Sequence, residues 1–401
     1  MKKRILSSVL AATMVATSLA ACGGSQKPAE TAAETAAETK AAAETKAAEE
    51  TKAAEETKAA EETKAAEETK AEETQAAQDG EYKVNEAAAA DPAVVLTMAE
   101  VNPVDDTICG KMDKKFIEAV EAISGGSITI DLQGSGVLGA ESDVLDSMLG
   151  GGGDIDISRI SAFALTSYGA KKSVLLSLPY TFESRDHYWK FVNSDLGKEI
   201  LDESEKEGIG VKGLFYGEEG FRHFFTVKDK PVTSVDDLKG MKIRVSNDPI
   251  MVKMVEALGA TATSVSMTEL YSALQTNTVD GAGQPIVNYA SNRFDEVAPN
   301  LTLDSHTLGA IEVVISEDSW NNKLTDNQRA VIEEASKIAS DYCHTIAVET
   351  EAKVLEDLKA RGCNVIDISD MAPWEEACKA IAEENAKGEL ADVYAQIKAL
   401  A

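Results

Sequence analysis

From Thr325 to Arg361 the chain runs without a glycine or a proline. Those two residue types interrupt helices most strongly, so nothing in this span breaks one. Apolar side chains recur at Val331, Ala335, Ile338, Tyr342, Ile346, Val354 and Leu358. Steps of three and four place them on one helical face. The pattern predicts one long helix or two nearly continuous ones. Such a helix is longer than one small domain needs, which makes it a brace between two lobes.

The rest of the chain has the texture of an α/β protein. Strands are expected at 94–99 (VVLTMA), 127–132 (SITIDL), 154–158 (DIDIS), 175–179 (LLSLP) and 209–216 (IGVKGLFY). Helices at 106–123 and 140–149 alternate with them. A second block from Gly220 carries strands at 222–227, 241–246, 261–265 and 308–315, a helix at 249–258, and a short strand and turn in TVDGAGQP (278–285). SMTE (266–269) reads as a capping box opening a helix that runs to about Gln275. Helices at 372–399 finish the chain. This alternation implies mainly parallel sheet covered by helices.

The front end is different. MKKR is basic, the following stretch to Ala20 is apolar, and LAAC closes at Cys22. Residues 1–22 are therefore expected to be a lipoprotein signal peptide, with Cys22 lipidated and becoming the mature N-terminus. Residues 23–91 are a low-complexity Ala/Glu/Thr/Lys spacer in which AAEETK recurs every six residues, a period that matches neither a heptad nor a stable apolar face. As a coil the spacer spans roughly 45 Å, and as a helix about 100 Å. Four cysteines remain: Cys109, Cys343, Cys363 and Cys378. None has zinc-type spacing. Buried free thiols are the simpler expectation, and Cys363 with Cys378 is the candidate disulfide.

Charge excludes one class of partner. Residues 91–401 carry 52 acidic against 28 basic side chains, and the whole chain has a net charge of −30. Such a surface does not bind nucleic acid by neutralising phosphates. A small anionic ligand would need a local arginine cluster to overcome the field. Catalytic motifs are absent: there is no G-x-S-x-G, H-E-x-x-H or phosphate-binding loop, and His187, His223, His306 and His344 are scattered. GGGG (150–153) reads as a turn, and Asp154 and Asp156 after it as solvated strand-edge residues. The arginines are more telling. Arg244 sits inside the apolar strand of KIRVSNDP (242–249), where an inward guanidinium needs an anion. Arg159 follows DIDIS, and Arg222 opens the strand after Gly220-Phe221. Ligands of open α/β sheets bind beyond the carboxyl ends of strands. Ordinary surface pairing of these arginines with the many carboxylates remains the open alternative at this point.

DLKGMKIRVSNDP, LGATATSVSMTELYSALQTNTVDG and the proline of GAGQP resemble the solute receptors of tripartite ATP-independent periplasmic (TRAP) transporters. GGSITIDLQGSGVLGAESDVLDSMLGGGGDIDIS, LSLPYTFESRDH and the GFR of 220–222 match in the same order, so the resemblance covers roughly 93–370. It implies a two-lobe periplasmic-binding-protein (Venus flytrap) fold with a long helix bracing both lobes. Lobe 1 would comprise 92–219 plus about 308–346, and lobe 2 220–307 plus about 347–401. It implies a receptor, not an enzyme, with no cofactor or metal. The receptor would capture a small organic acid outside the cytoplasm and hand it to a small and a large TRAP membrane subunit driven by an ion gradient. Arg244 matches the arginine that clamps the ligand carboxylate, Arg222 a second polar contact, and Asn102 a contact from the first strand–helix loop. Arg159 stands at the selectivity position, and Met267 and Gln284 at pocket-lining positions. A sugar acid such as a uronate is expected ahead of a C4-dicarboxylate. A receptor for an ATP-driven importer is the more distant alternative, against which the VDG block argues. One departure stands out: the family often reads D-G-x-E-x-P, and here Gly283 replaces the acid in DGAGQP.

Overall fold

A computed structural model of the chain describes residues 82–151 and 153–401. The expected signal peptide, Cys22 and most of the spacer lie outside the described residues. Packing against the rest of the fold already occurs within 82–91, which composition had assigned to the spacer. Within 82–91 the turn Glu86–Ala89 is capped by the Asn85 side chain, Ala88 is fully buried, and the Asn85 N–H donates to Ile123 O at 2.8 Å. Small alanines at the end of the repeat pack where bulkier residues would not.

A nine-stranded sheet organises the described residues, in the order β2-β1-β3-β8-β4-β7-β5-β6 with β9 on β8. In one half, β1 (Val94–Ala99) pairs in parallel with β2 (Ile128–Gln133) and β3 (Ile157–Ser161). In the other, β5 (Lys242–Val245) pairs in parallel with β6 (Thr261–Ser264) and β7 (Gly281–Pro285). Two long antiparallel strands, β4 (Val211–Thr226) and β8 (Asn300–Ser316), join the halves. The end of β8 pairs with β3, and its start pairs with β9 (Asn364–Asp367). Register shifts at Gly213/Phe215, Glu218/Phe221 and Arg222/Phe224 bend this ribbon where it crosses between the halves. Gly220 sits there at φ +95°, and a β-carbon on it would lie 2.3 Å from Glu351 Oε2. The positive φ strains any residue with a side chain, and a β-carbon would also displace the Glu351 carboxylate.

Helices α1 (Ile108–Ile123), α2 (Glu141–Leu149), α3 (Arg185–Val192) and α4 (Asp195–Leu201) belong to the first half. Helices α5 (Pro249–Ala257), α6 (Leu270–Gln275) and α7 (Ile286–Ser291) belong to the second. The glycine- and proline-free run forms a single helix, α8 (Asp326–Ala360), about 52 Å long at 1.5 Å per residue. Thr325 and Gln328 form its capping box. Its Val331, Ala335, Ala339, Cys343 and Ala347 pack into the main core, while Leu358 packs with Phe225, Leu270 and Tyr289 of the second half. Arg185 on α3 ties β4 to this brace, with Nε to Glu218 Oε2 and Nη2 to Glu351 Oε2, both at 2.7 Å. Helix α9 (Ala372–Asn385) follows, and α10 (Glu389–Lys398) returns to the first half, where His187 Nε2 meets Ile397 O at 2.7 Å. No helix among the described residues is long and apolar enough to cross a membrane.

Several local expectations change. LLSLP is no strand: Lys172–Leu176 is a 3-10 turn burying Leu175, Leu176 and Leu178, a core plug that an apolar run alone cannot distinguish from a strand. The third strand starts at Ile157, three residues later than expected, because Asp156 turns inward. Its carboxylate accepts from Thr97 N (2.9 Å), Lys323 Nζ (2.6 Å) and the Ser319 hydroxyl. Asp156 is therefore a buried cross-link, not a solvated edge. The separate strands expected at 209–216 and 222–227 are one continuous β4. Ser266 donates to the Glu269 carboxylate at 2.7 Å and caps no backbone N–H, so the expected capping box is not made. All four described cysteines are free thiols; Cys363 donates to Pro299 O at 3.1 Å, and the Cys363–Cys378 bond is not formed.

One core residue resists the apolar pattern. Asp113 on α1 is fully buried beside the Glu100 carboxylate, and no N–H or hydroxyl group of the described residues donates to it. Burial pushes its carboxyl well above the usual range, and the neighbouring Glu100 carboxylate adds to this. The native state then holds a proton that the unfolded chain releases above about pH 4. Stability is lost as pH rises from that point toward the native pKa, at about 1.4 kcal/mol per unit of difference. Asp113→Asn should accordingly be more stable than the parent at pH 7 and gain little at pH 4, measured by urea denaturation. A variant that is less stable at pH 7 would mean the carboxylate is ionised and needed.

Candidate functional site

The two halves enclose a cavity of about 310 Å³. Ligand pockets generally fall in the range of roughly 300–1,000 Å³. All six residues expected at a binding site lie on its wall: Asn102, Arg159, Arg222, Arg244, Met267 and Gln284. They come from both halves and from the crossing ribbon. Asn102 follows β1, Arg159 lies within β3, Arg222 within β4, Arg244 within β5, and Gln284 within β7. Met267 sits in the turn Met267–Glu269, where Gln284 Nε2 approaches its sulfur at 3.4 Å. Arg159 and Arg222 are thus interior strand residues, whereas sequence placed them at strand boundaries.

The three guanidiniums are not equivalent. Arg159 gives its fork to Glu100, with Nε donating to Oε2 at 2.5 Å and Nη2 to Oε1. Glu219 Oε2 lies 3.8 Å from its Nη1. Burial, the largest effect, disfavours the Arg159 charge, but its acidic neighbours, Glu100 foremost, together outweigh it and raise the Arg159 pKa. Arg222 sends Nη2 to Gly283 O at 2.5 Å and Nη1 toward Glu219 Oε1 at 3.4 Å. Arg244 donates Nε to Val265 O at 2.8 Å. Among the described residues it has no carboxylate partner, and its terminal nitrogens have no hydrogen bond. It is 4% exposed. Burial, reinforced by the Arg222 charge, pulls its pKa down to about 9. A guanidinium so disfavoured gains most from an anion placed on its free edge.

The carboxylates on this wall, Glu141 and Glu219, and the Glu100 carboxylate behind it escaped the sequence reading. Glu100 does more than hold Arg159: its Oε1 also accepts from Asn102 N (2.6 Å) and Asn102 Nδ2 (3.1 Å). Asn102 Oδ1 in turn accepts from Asn292 Nδ2 at 3.2 Å, a link from the loop after β1 to the end of α7. Glu219 accepts from Asn288 Nδ2 and sits between Arg159 and Arg222. Glu141, at the start of α2, accepts from Ser161 N (2.8 Å) and Ser161 Oγ (3.2 Å). Burial raises its pKa, against the pull of Arg159 and Ser161. The signal available for Glu100 was its place immediately beyond β1, the same rule that singled out the arginines. Glu219 and Glu141 had no such mark.

The Gly283 departure has a spatial explanation. A β-carbon at this position would lie 2.9 Å from both Cε1 and Nε2 of His306. The imidazole stacks on Phe224 at 4.4 Å between ring centres, and its Nδ1 lies 2.7 Å from Asp304 Oδ2. The carboxylate beside this ring is supplied by Asp304, and the bare Gly283 backbone receives Arg222. The remainder of the wall is uncharged and mixed, with Ser161, Ser167, Ser246, Asn247 and Ser264 beside apolar faces from Val101, Leu145, Phe163 and Val265. No group of three or more metal-binding side chains occurs among the described residues.

Comparison with known proteins agrees with this geometry. The chain is 30% identical over 305 residues to the sialic acid-binding periplasmic protein SiaP of Vibrio cholerae, covering 75% of this chain and 91% of that one. It is 27% identical over 315 residues to the C4-dicarboxylate-binding periplasmic protein DctP of Rhodobacter capsulatus, covering 78% and 92%. A TRAP periplasmic solute binding protein from Pseudomonas putida F1, solved with bound D-glucuronate, superposes with a TM-score of 0.72 at 28% identity, covering 76% of this chain and 97% of that one. The DctP model, bacterial extracellular solute-binding protein family 7, matches residues 98–388, and the chain belongs to that family.

Proposed function

We propose that this protein is an extracytoplasmic receptor that closes its two lobes around a small hydroxylated acid bearing one carboxylate, a uronate first among candidates. It then delivers the acid to a small and a large TRAP membrane subunit. The observation that carries this reading is Arg244, the one guanidinium of the cavity wall without a carboxylate partner among the described residues. One free fork fits one ligand carboxylate. The neutral hydroxyls and amides around it fit sugar hydroxyls. D-Glucuronate in the Pseudomonas putida relative supports this assignment. The C4-dicarboxylate reading, drawn from the Rhodobacter capsulatus relative, asks a second arginine to hold a second carboxylate, yet Glu100 and Glu219 already engage Arg159 and Arg222. Arg222, Arg159, Asn102, Gln284 and Met267 complete the proposed site, with Arg159 acting mainly to hold Glu100 and Asn102 in place.

The energetics are sufficient. Micromolar affinity requires roughly −8 kcal/mol. A charge-assisted hydrogen bond contributes about 1.5–3 kcal/mol net, and a fork makes two. Closure excludes water and strengthens both, and the closed state it selects is what a membrane partner can recognise. At the other end of the chain, the LAAC pattern supports lipidation of Cys22, with the spacer carrying the receptor away from the membrane. In cells, Cys22→Ser should move the protein out of the membrane fraction; unchanged partition would remove the anchor from this account.

A thermal-shift screen of organic and sugar acids identifies the ligand, since an acid at 100 times its Kd stabilises the native state by about 2.7 kcal/mol. With that acid, Arg244→Ala should weaken binding by about 2–5 kcal/mol in calorimetric titration. Unchanged affinity would rule out Arg244 as the clamp. Gly283→Ala forces a β-carbon against the His306 ring and disturbs the carbonyl that holds Arg222. We expect about tenfold weaker binding, roughly 1.4 kcal/mol, with much of it recovered when His306→Ala is added. An additive double variant would show that the ring and the glycine are unconnected.

A further inference from the structure

Asp113 does not line the cavity, yet it meets a group on which the cavity wall depends. Its fully buried side chain is in hydrogen-bond contact with the Glu100 carboxylate, and no N–H or hydroxyl of the described residues donates to it. Glu100 is engaged on both oxygens. Arg159 donates Nε to Oε2 at 2.5 Å and Nη2 to Oε1. Asn102 donates its backbone N–H to Oε1 at 2.6 Å and its Nδ2 to the same oxygen at 3.1 Å. These donors make Glu100 the ionised member of the pair. Two carboxylates in contact cannot both keep their charge without a large penalty, so the other member holds a proton. A protonated carboxyl is a donor as well as an acceptor. The remaining ionisable groups close to Asp113 are Arg159 on β3 and Cys343 on α8. Arg159 is committed to Glu100, and burial pushes the Cys343 thiol far up, so it adds no charge.

We propose that Asp113 is a positioning residue of the binding site: its carboxyl O–H donates to Glu100 from behind the wall and fixes Glu100, and through it Arg159 and Asn102, in the arrangement that meets the ligand. This rests on the reading of the cavity as the site of a small hydroxylated acid. The hold extends further, since Asn102 Oδ1 accepts from Asn292 Nδ2 of the other half at 3.2 Å. Asp113 touches no ligand. It acts by leaving Glu100 one stable orientation in which Arg159 and Asn102 are both satisfied.

Two substitutions separate the donor from the space it fills. Asp113→Asn keeps the size and supplies N–H donors, whereas Asp113→Ala removes the donor. Without any ligand, the infrared difference between the parent and Asp113→Asn near neutral pH should contain the carbonyl stretch of a protonated carboxylic acid. Absence of that band means an ionised Asp113 and overturns the proposal. In calorimetric titration with D-glucuronate, Asp113→Asn should stay within about twofold of the parent and Asp113→Ala should bind about tenfold more weakly. Thermal melting without ligand confirms that each variant folds. In a Glu100→Gln background, Asp113→Ala should weaken binding by less than about twofold further, because its effect passes through Glu100. A cavity at position 113 that loosened the fold in general would weaken binding equally in both backgrounds, and that result overturns the proposal. So does parent-like affinity in Asp113→Ala. A parent that binds D-glucuronate while the two backgrounds behave alike sinks this inference alone. A parent that binds no D-glucuronate sinks the uronate reading and the role in binding with it, even where the infrared band is present.

Discussion

Three guanidinium groups share one enclosed wall in a protein of net charge −30, and the way their charges are balanced shapes everything around them. A buried charge is tolerated when another charge and well-placed hydrogen bonds meet it. Glu100 meets Arg159, and Glu219 meets Arg222. Arg244 is held only at Nε, by Val265 O, and carries its positive charge against the resistance of burial and of Arg222. The first two groups are tied into the wall, while the third keeps its terminal nitrogens without a hydrogen bond among the described residues. Glu141 and Glu219 lie on the same wall, yet among the described residues neither forms a salt bridge with Arg244 on β5.

The paired groups also organise their neighbours. Glu100 holds both Arg159 and Asn102, and Asn102 reaches Asn292 across the halves. Glu219 and Arg222 lie on β4, within the stretch where its pairing with β8 slips register. The bending segment of the ribbon is therefore part of the binding wall. Glu218, next to Glu219, joins Arg185 and through it Glu351 on the long helix. On the proposed reading, a ligand held at this wall would touch Arg222 on the strand that links the halves, a compact route from binding to closure. Since the brace, the ribbon and the site share adjacent residues of β4, no remote relay is required.

Much of this was legible in the residues themselves. A stretch without glycine or proline reads as one long helix or two nearly continuous ones, because its backbone hydrogen bonds are local, and the folded chain makes it one. The alternating texture determines an α/β sheet, and an arginine in an apolar strand announces an anion site. Tertiary structure alone decided which arginine remains unpaired. Glu100 is 59 residues from Arg159 in the chain, and a fork closes only when folding brings both to one wall. The same holds for Asp156, turned inward by Thr97 and Lys323, and for Gly283, whose bareness is explained by His306 from a different strand. Local pattern specifies which groups carry charge and which segments are regular. Whether a buried charge meets its counter-charge depends on distance in space, and only the folded chain sets that distance.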